Sequence, residues 1–172
     1  RRTFLFIKYG FLLFVLGLML LVRSLGTLVR TVTAFTIAHS ITLALAVLGL
    51  VAVPTASVEV LIALSIVMVA TEVVRSPDAP STVAARAPWV VALAFGLLHG
   101  LGFAGALADV GLQPEHVPLA LVGFNLGVEV GQLAFIAAML LPLAAFARLA
   151  AARPRLRLVP GYLMGIVATT WT

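Results

Sequence analysis

The sequence predicts an all-α protein: a polytopic transmembrane helix bundle of about six spans, with a parallel internal repeat in which spans 2–3 recur as spans 4–5. Three observations lead there. The chain of 172 residues is 63% hydrophobic and only 10% charged, with a mean hydropathy of +1.21, whereas a soluble domain carries about a quarter charged residues. Apolar stretches near the ~20 residues needed to cross a bilayer recur along its length. Finally, Ala34-Phe35-Thr36-Ile37-Ala38-His39-Ser40 returns as Ala94-Phe95-Gly96-Leu97-Leu98-His99-Gly100, and Val58-Glu59-Val60 returns as Val128-Glu129-Val130.

The first span is expected over about Phe4–Val22 and the second over Val29–Val53. The third follows over Ser57–Val74, the fourth over Pro88–Ala108 and the fifth over Pro118–Ala147, while a sixth opens near Leu158. Pro54, Pro77, Pro80, Pro114 and Pro154 punctuate the gaps, as residues that end helices should. The whole chain, residues 1–172, reads as one transmembrane domain with repeat halves 29–74 and 88–147. It starts at Arg1 without a methionine and stops at Thr172 inside an apolar stretch, so segments are expected to be missing at both ends.

The formal net charge of +5 does not indicate a nucleic-acid partner. Arg23, Arg30, Arg75, Arg86, Arg148, Arg153, Arg155 and Arg157 sit in the gaps after the first, third and fifth spans. The gaps after the second and fourth hold no lysine or arginine, only Asp109, Glu115 and His116. By the positive-inside rule the arginine-bearing gaps face the cytoplasm and the N-terminus lies outside. Arg1, Arg2 and Lys8 run against this placement unless a translocated domain precedes them. Spans 2 and 4 then run the same way, as do spans 3 and 5, so the repeat is parallel. Sites in such proteins lie at repeat interfaces near the midplane. His39 falls ~14 Å beyond Arg30 at the helical rise, a depth near the middle of a ~30 Å core.

Intramembrane carboxylates and imidazoles are costly, and they mark ion paths, proton relays or metal sites. Glu129 sits deep in its span, with Asn125 and Gln132 on the same face, and Thr36 and Thr42 share the face of His39. A single histidine in this setting reads as a helix-to-helix hydrogen bond; duplication with glutamate partners favours a site. With no cysteine in the chain, any metal would rest on nitrogen and oxygen, a donor set suited to nickel, cobalt, zinc or iron. Spacing leaves a metal site and a proton relay both open. Gly123, Gly127 and Gly131 form a stripe suited to close helix packing. Neither a phosphate loop, a nucleophile elbow nor an HExxH motif occurs, so no enzyme is expected. An intramembrane metalloenzyme would need an activated water and an open coordination position.

Four runs in order carry a resemblance: Ala34 to Leu43, Val58 to Ile66, Phe95 to Ala104, and Phe124-Asn125-Leu126-Gly127-Val128-Glu129-Val130-Gly131-Gln132-Leu133. They resemble the HupE/UreJ family from roughly Leu12 onward. Members are hydrogenase or urease accessory membrane proteins, thought to be nickel or cobalt permeases. The resemblance implies a bacterial inner-membrane protein with a divalent transition metal as cargo. It also implies that His39, Glu59, His99, Asn125, Glu129 and Gln132 stand at the family's polar motif positions. His39, His99, Glu129 and Glu59 are the expected ligands, with Asn125, Gln132, Thr36 and Thr42 orienting them. One departure stands out: where the family opens with an Asp-His pair before a Leu-Leu-Phe run, this chain has Gly10-Phe11 before Leu12-Leu13-Phe14. The other expectation is a non-transporting membrane subunit or assembly factor held among other subunits.

Overall fold

The computed structural model describes residues 2–22, 24–75, 80–108 and 114–170. Arg23, Pro77 and Asp109 of the sequence argument therefore lie outside the described residues. No strand occurs among the described residues. The helices are α1 (Arg2–Leu21), α2 (Leu25–Val47), α3 (Thr55–Val73), α4 (Val83–Arg86), α5 (Pro88–Ala108), α6 (Val117–Ala152) and α7 (Val159–Thr169). Three of them, α2, α3 and α6, are long and apolar enough to cross a membrane. Shorter apolar helical stretches cover Tyr9–Leu21 and Pro88–Phe103.

Helix ends follow local chemistry. Ser24 caps α2 by accepting the Thr27 amide at 3.2 Å, and Thr82 caps the single turn of α4 by accepting the Ala85 amide at 3.2 Å. Oxygen side chains at these positions satisfy amides that have no carbonyl partner within the helix. The second span ends earlier than the expected Val53. Gly49 takes φ +72, its amide reaches the Ala46 carbonyl at 3.0 Å, and the Leu50 amide reaches the Leu45 carbonyl at 2.9 Å. These two bonds are a Schellman ending, which needs a left-handed residue that glycine supplies without strain. At the other extreme, α6 runs for 36 residues and carries Pro142 inside it. Its length is ~54 Å at the helical rise, well beyond the ~30 Å of a hydrocarbon core.

Packing rests on glycines that admit a neighbouring helix. Gly96 faces the Phe35 carbonyl and Ala38, and Gly100 faces the His39 carbonyl and Thr42, so no side chain fits between α2 and α5. Both contacts advance by four residues along each helix, so α2 and α5 run in the same direction. Gly102 on α5 meets Ile62 and Val58, whereas His99, earlier on α5, meets Ser65, later on α3; these two helices are therefore antiparallel. On α7, Gly161 seats against Val74 and Ala70, and Gly17 of α1 seats against Val69 and Met164. The core joins Phe14, Leu18, Phe35, Ile62, Ile66 and Met164. By contrast α6 touches chiefly α2 and α1 and leaves Leu119, Val122, Leu126, Val130 and Leu141 exposed.

Candidate functional site

The apolar bundle buries a polar centre between α2, α3, α5 and α6. His39 is 0% exposed, and His99 and Gln132 are each 1% exposed. The α2–α5 contact opposes His39 to Gly100, which sets the two imidazoles at the same level, one helical residue apart (~1.5 Å). Both touch one ring: Phe35 stacks on His39 at 5.9 Å and 13°, and meets His99 edge-on at 5.2 Å and 74°. Phe103 and Phe124 complete the surroundings of His39 at 5.2 and 6.3 Å, and Phe14 lies 5.1 Å from His99. Phe11 packs on Phe35 at 5.7 Å and Phe103 at 6.1 Å. Phe11 thus backs two of the rings that touch His39.

The two histidines differ in their hydrogen bonds. The Ser65 hydroxyl donates to the Ile62 carbonyl at 2.7 Å and lies 3.1 Å from His99 Nε2. With the single hydroxyl proton given to Ile62, the contact is satisfied by the tautomer whose Nε2–H donates to Ser65 Oγ. In that tautomer a neutral His99 keeps its free lone pair on Nδ1. His39 has no such anchor: among the described residues both its ring nitrogens are buried without a partner. Asn125 Oδ1 and Gln132 Nε2 are the other buried side-chain polar atoms without a partner. All four belong to α2 and α6.

Gln132 also bonds to α2. The Thr36 hydroxyl lies 2.9 Å from Gln132 Oε1 and 3.2 Å from the Val32 carbonyl, two acceptors for one proton. Turning the amide over resolves this, because oxygen and nitrogen ends are assigned rather than seen. Nε2 then donates to Thr36 Oγ1, Thr36 donates to Val32, and Oε1 takes the place of the unpartnered nitrogen as an open acceptor.

The remaining expected residues are placed less centrally. Thr42 bonds back to the Ala38 and His39 carbonyls at 3.2 and 3.3 Å and lies against Gly100, so its hydroxyl serves the α2–α5 contact. Glu59 and Glu129 are half-buried, and the only ion pair among the described residues joins Arg75 and Glu72, at 3.1 Å. No group of three or more His, Cys, Asp or Glu among the described residues gathers closely enough to hold one metal ion. Glu115 and His116 are exposed. Ser65 escaped sequence reasoning. Its signal was position: it falls in the buried stripe Ile62, Ser65, Ile66 and Val69 of α3, where a hydroxyl needs a partner.

Fold and site together define a polytopic helical membrane protein with a polar centre enclosed by its helices. The chain belongs to the HupE/UreJ family: the family described as HupE / UreJ protein matches residues 4–172. The match begins before Leu12 and so includes Gly10 and Phe11 within the family's extent. No curated protein and no solved structure matches the chain.

Proposed function

We propose that this protein moves a divalent transition metal, nickel or cobalt first and zinc or iron as further candidates, through the polar centre between its helices. The observation that carries the reading is the set of four unpartnered buried atoms on His39, Gln132 and Asn125. An unpaired polar group away from water costs several kcal/mol in a membrane interior, so the α2–α6 seam is built for a polar occupant. Imidazole nitrogen with amide and carboxylate oxygen suits borderline cations of the first transition row. His39, His99, Glu129 and Glu59 are the ligands in this reading. Gln132 and Asn125 contribute oxygens or orient the imidazoles, and Thr36 and Thr42 hold Gln132 and the α2 backbone.

A transport path must bind its cargo and let it go, which favours several weak stations over one closed site. Dispersed donors fit that requirement: Gln132 is bound to Thr36 and His99 to Ser65, and no three ligating side chains among the described residues form one closed site. The common direction of α2 and α5 supports the parallel repeat of 29–74 and 88–147, with His39 and His99 as its equivalent residues. Arginine-bearing loops face the cytoplasm of a bacterial inner membrane, and the N-terminus lies outside. Uptake of labelled nickel into sealed vesicles tests the reading. The double variant His39→Ala with His99→Ala should abolish saturable uptake while the protein stays monodisperse; full uptake by that variant would overturn it. Because protons and metal compete for the same lone pairs, uptake should also fall as the medium is acidified.

A second reading makes the chain a non-transporting subunit or assembly factor. Gly123, Gly127 and Gly131 favour it, since a side chain built at any of them would meet nothing within 4 Å, whereas Gly96, Gly100 and Gly102 of α5 are filled by neighbouring helices. Stoichiometric co-purification of another membrane subunit, with no metal by elemental analysis, would select this reading over transport.

A further inference from the structure

We propose that the groove between α3 and α7 is a binding site for an anionic phospholipid, with an acyl chain in the groove and the headgroup at Arg155 and Arg157. The groove has a volume of about 280 Å³ and is lined by Ala70 from α3, by Val74 just after it and by Gly161, Tyr162, Gly165 and Ile166 from α7, among others. Its depth comes from glycine. Gly161 brings α7 against Val74 and the Ala70 carbonyl, while Gly165, one turn on, leaves a built Cβ no closer than 3.8 Å to Ala70. The helices meet at one end of the groove and part above it, and exposed Tyr162 and Ile166 stand at its edge. Such an apolar cleft on the flank of a membrane protein is open to hydrocarbon.

Charge selects among the lipids. The closed end of the groove lies where α3 ends, two residues before Arg75, and where α7 begins, directly after the 3-10 turn Pro154–Leu158. That turn carries Arg155 and Arg157, both exposed, and exposed Arg153 precedes it. The acidic group described at this end is Glu72. It is already bound by Arg75 at 3.1 Å and accepts the Thr82 hydroxyl at 2.6 Å, so it leaves the turn's positive charge uncancelled. Basic residues at a membrane surface attract anionic headgroups, each adding to the affinity, and guanidinium groups match phosphate oxygens in geometry. An apolar cleft whose closed end adjoins a turn with two exposed arginines fits a phosphodiester carrying an acyl chain better than it fits a zwitterionic lipid. This assignment is independent of what the polar centre carries.

The test uses the full chain in a neutral detergent, with phosphatidylglycerol and phosphatidylcholine of identical acyl chains added separately. Retained lipid is counted by native mass spectrometry, and the melting temperature is followed alongside. The wild type should hold phosphatidylglycerol at about thirtyfold lower concentration than phosphatidylcholine, as expected for two surface arginines. Arg155→Gln with Arg157→Gln should bring the two lipids to parity. Gly165→Leu, which fills the groove, should lose retention of both; Thr71→Trp closes it from the α3 side if the leucine variant does not fold. Equal retention by the wild type, a phosphatidylglycerol preference that survives the arginine variant, or a filled groove that still retains lipid would each overturn the proposal. Stabilisation by glycerol phosphate equal to that by the lipid would overturn the acyl-chain assignment.

Discussion

His39 and His99 occupy matching places in two helices, yet chemistry has divided them. His99 is anchored through Ser65, and His39 is stacked among rings with both nitrogens unpartnered. Ser65→Ala should therefore leave the helices intact and release His99. Losing the partner of a buried N–H costs ~1–3 kcal/mol, and the ring should then populate both tautomers. Nitrogen-15 spectra of labelled histidine would show this, with a single Nε2-protonated form in the wild type; the same single form in the variant would refute the anchor. Phe11→His is the complementary test. It places an imidazole in the aromatic cage beside Phe35 and Phe103, and nickel retention measured by equilibrium dialysis should rise. Retention equal to that of the wild type would show that the cage lies off the path. At this scale the sequence revealed the histidines and Gln132, because polar residues in an apolar chain are conspicuous. It named Glu59 and Glu129 as ligands too, but could not set their distance from the histidines. In a soluble helix polarity marks the outward face, but in a membrane helix nearly every face is apolar and its rotation is set by packing. Ser65 and the phenylalanine cage were hidden for the same reason.

Among the elements, α2 and α5 form the closest pair, and glycine makes them so. Gly100→Val should push its side chain into the His39 carbonyl and Thr42. Overpacking of this kind costs ~1–3 kcal/mol, so the melting temperature in detergent should drop. The same change at Gly127, whose surroundings are open, should leave the isolated protein's melting temperature unaltered; a comparable drop there would mean that α6 packs otherwise than described. Hydropathy located each of the long helices because apolar length is read directly from sequence. It extended the second span to Val53 because Leu50, Val51 and Val53 are apolar, while the true end is fixed by the backbone turn at Gly49. It also passed over α4, a single turn set by the Thr82 cap. Apolar character reports where a chain tolerates lipid, and capping reports where a helix stops; the two need not coincide.

For the molecule as a whole, α2 and α5 run one way and α3 runs against α5. The chain has no cysteine, so single cysteines can be introduced without a background. Glu115→Cys should react with a membrane-impermeant maleimide added to whole cells, and Arg153→Cys should react only after the membrane is opened. The reverse pattern would invert the proposed orientation. Both positions are exposed, so accessibility rather than burial would decide the labelling.

The backbone contact of Gly96 and Gly100 with α2 has a mechanical consequence. Two helices that touch carbonyl to glycine cannot slide or roll past one another without a clash at every turn, so α2 and α5 behave as one stiff spar with both imidazoles fixed along it. In the transport reading, motion comes from elsewhere, and α6 is the element suited to it: it is the longest helix described, it has a proline within it, and Thr36–Gln132 is a side-chain hydrogen bond tying it to α2. A rocking arm against a rigid spar would open and close the seam where the unpartnered atoms lie. Amide exchange should accordingly be faster along the described part of α6 than along α2, and slower in α6 once nickel is bound.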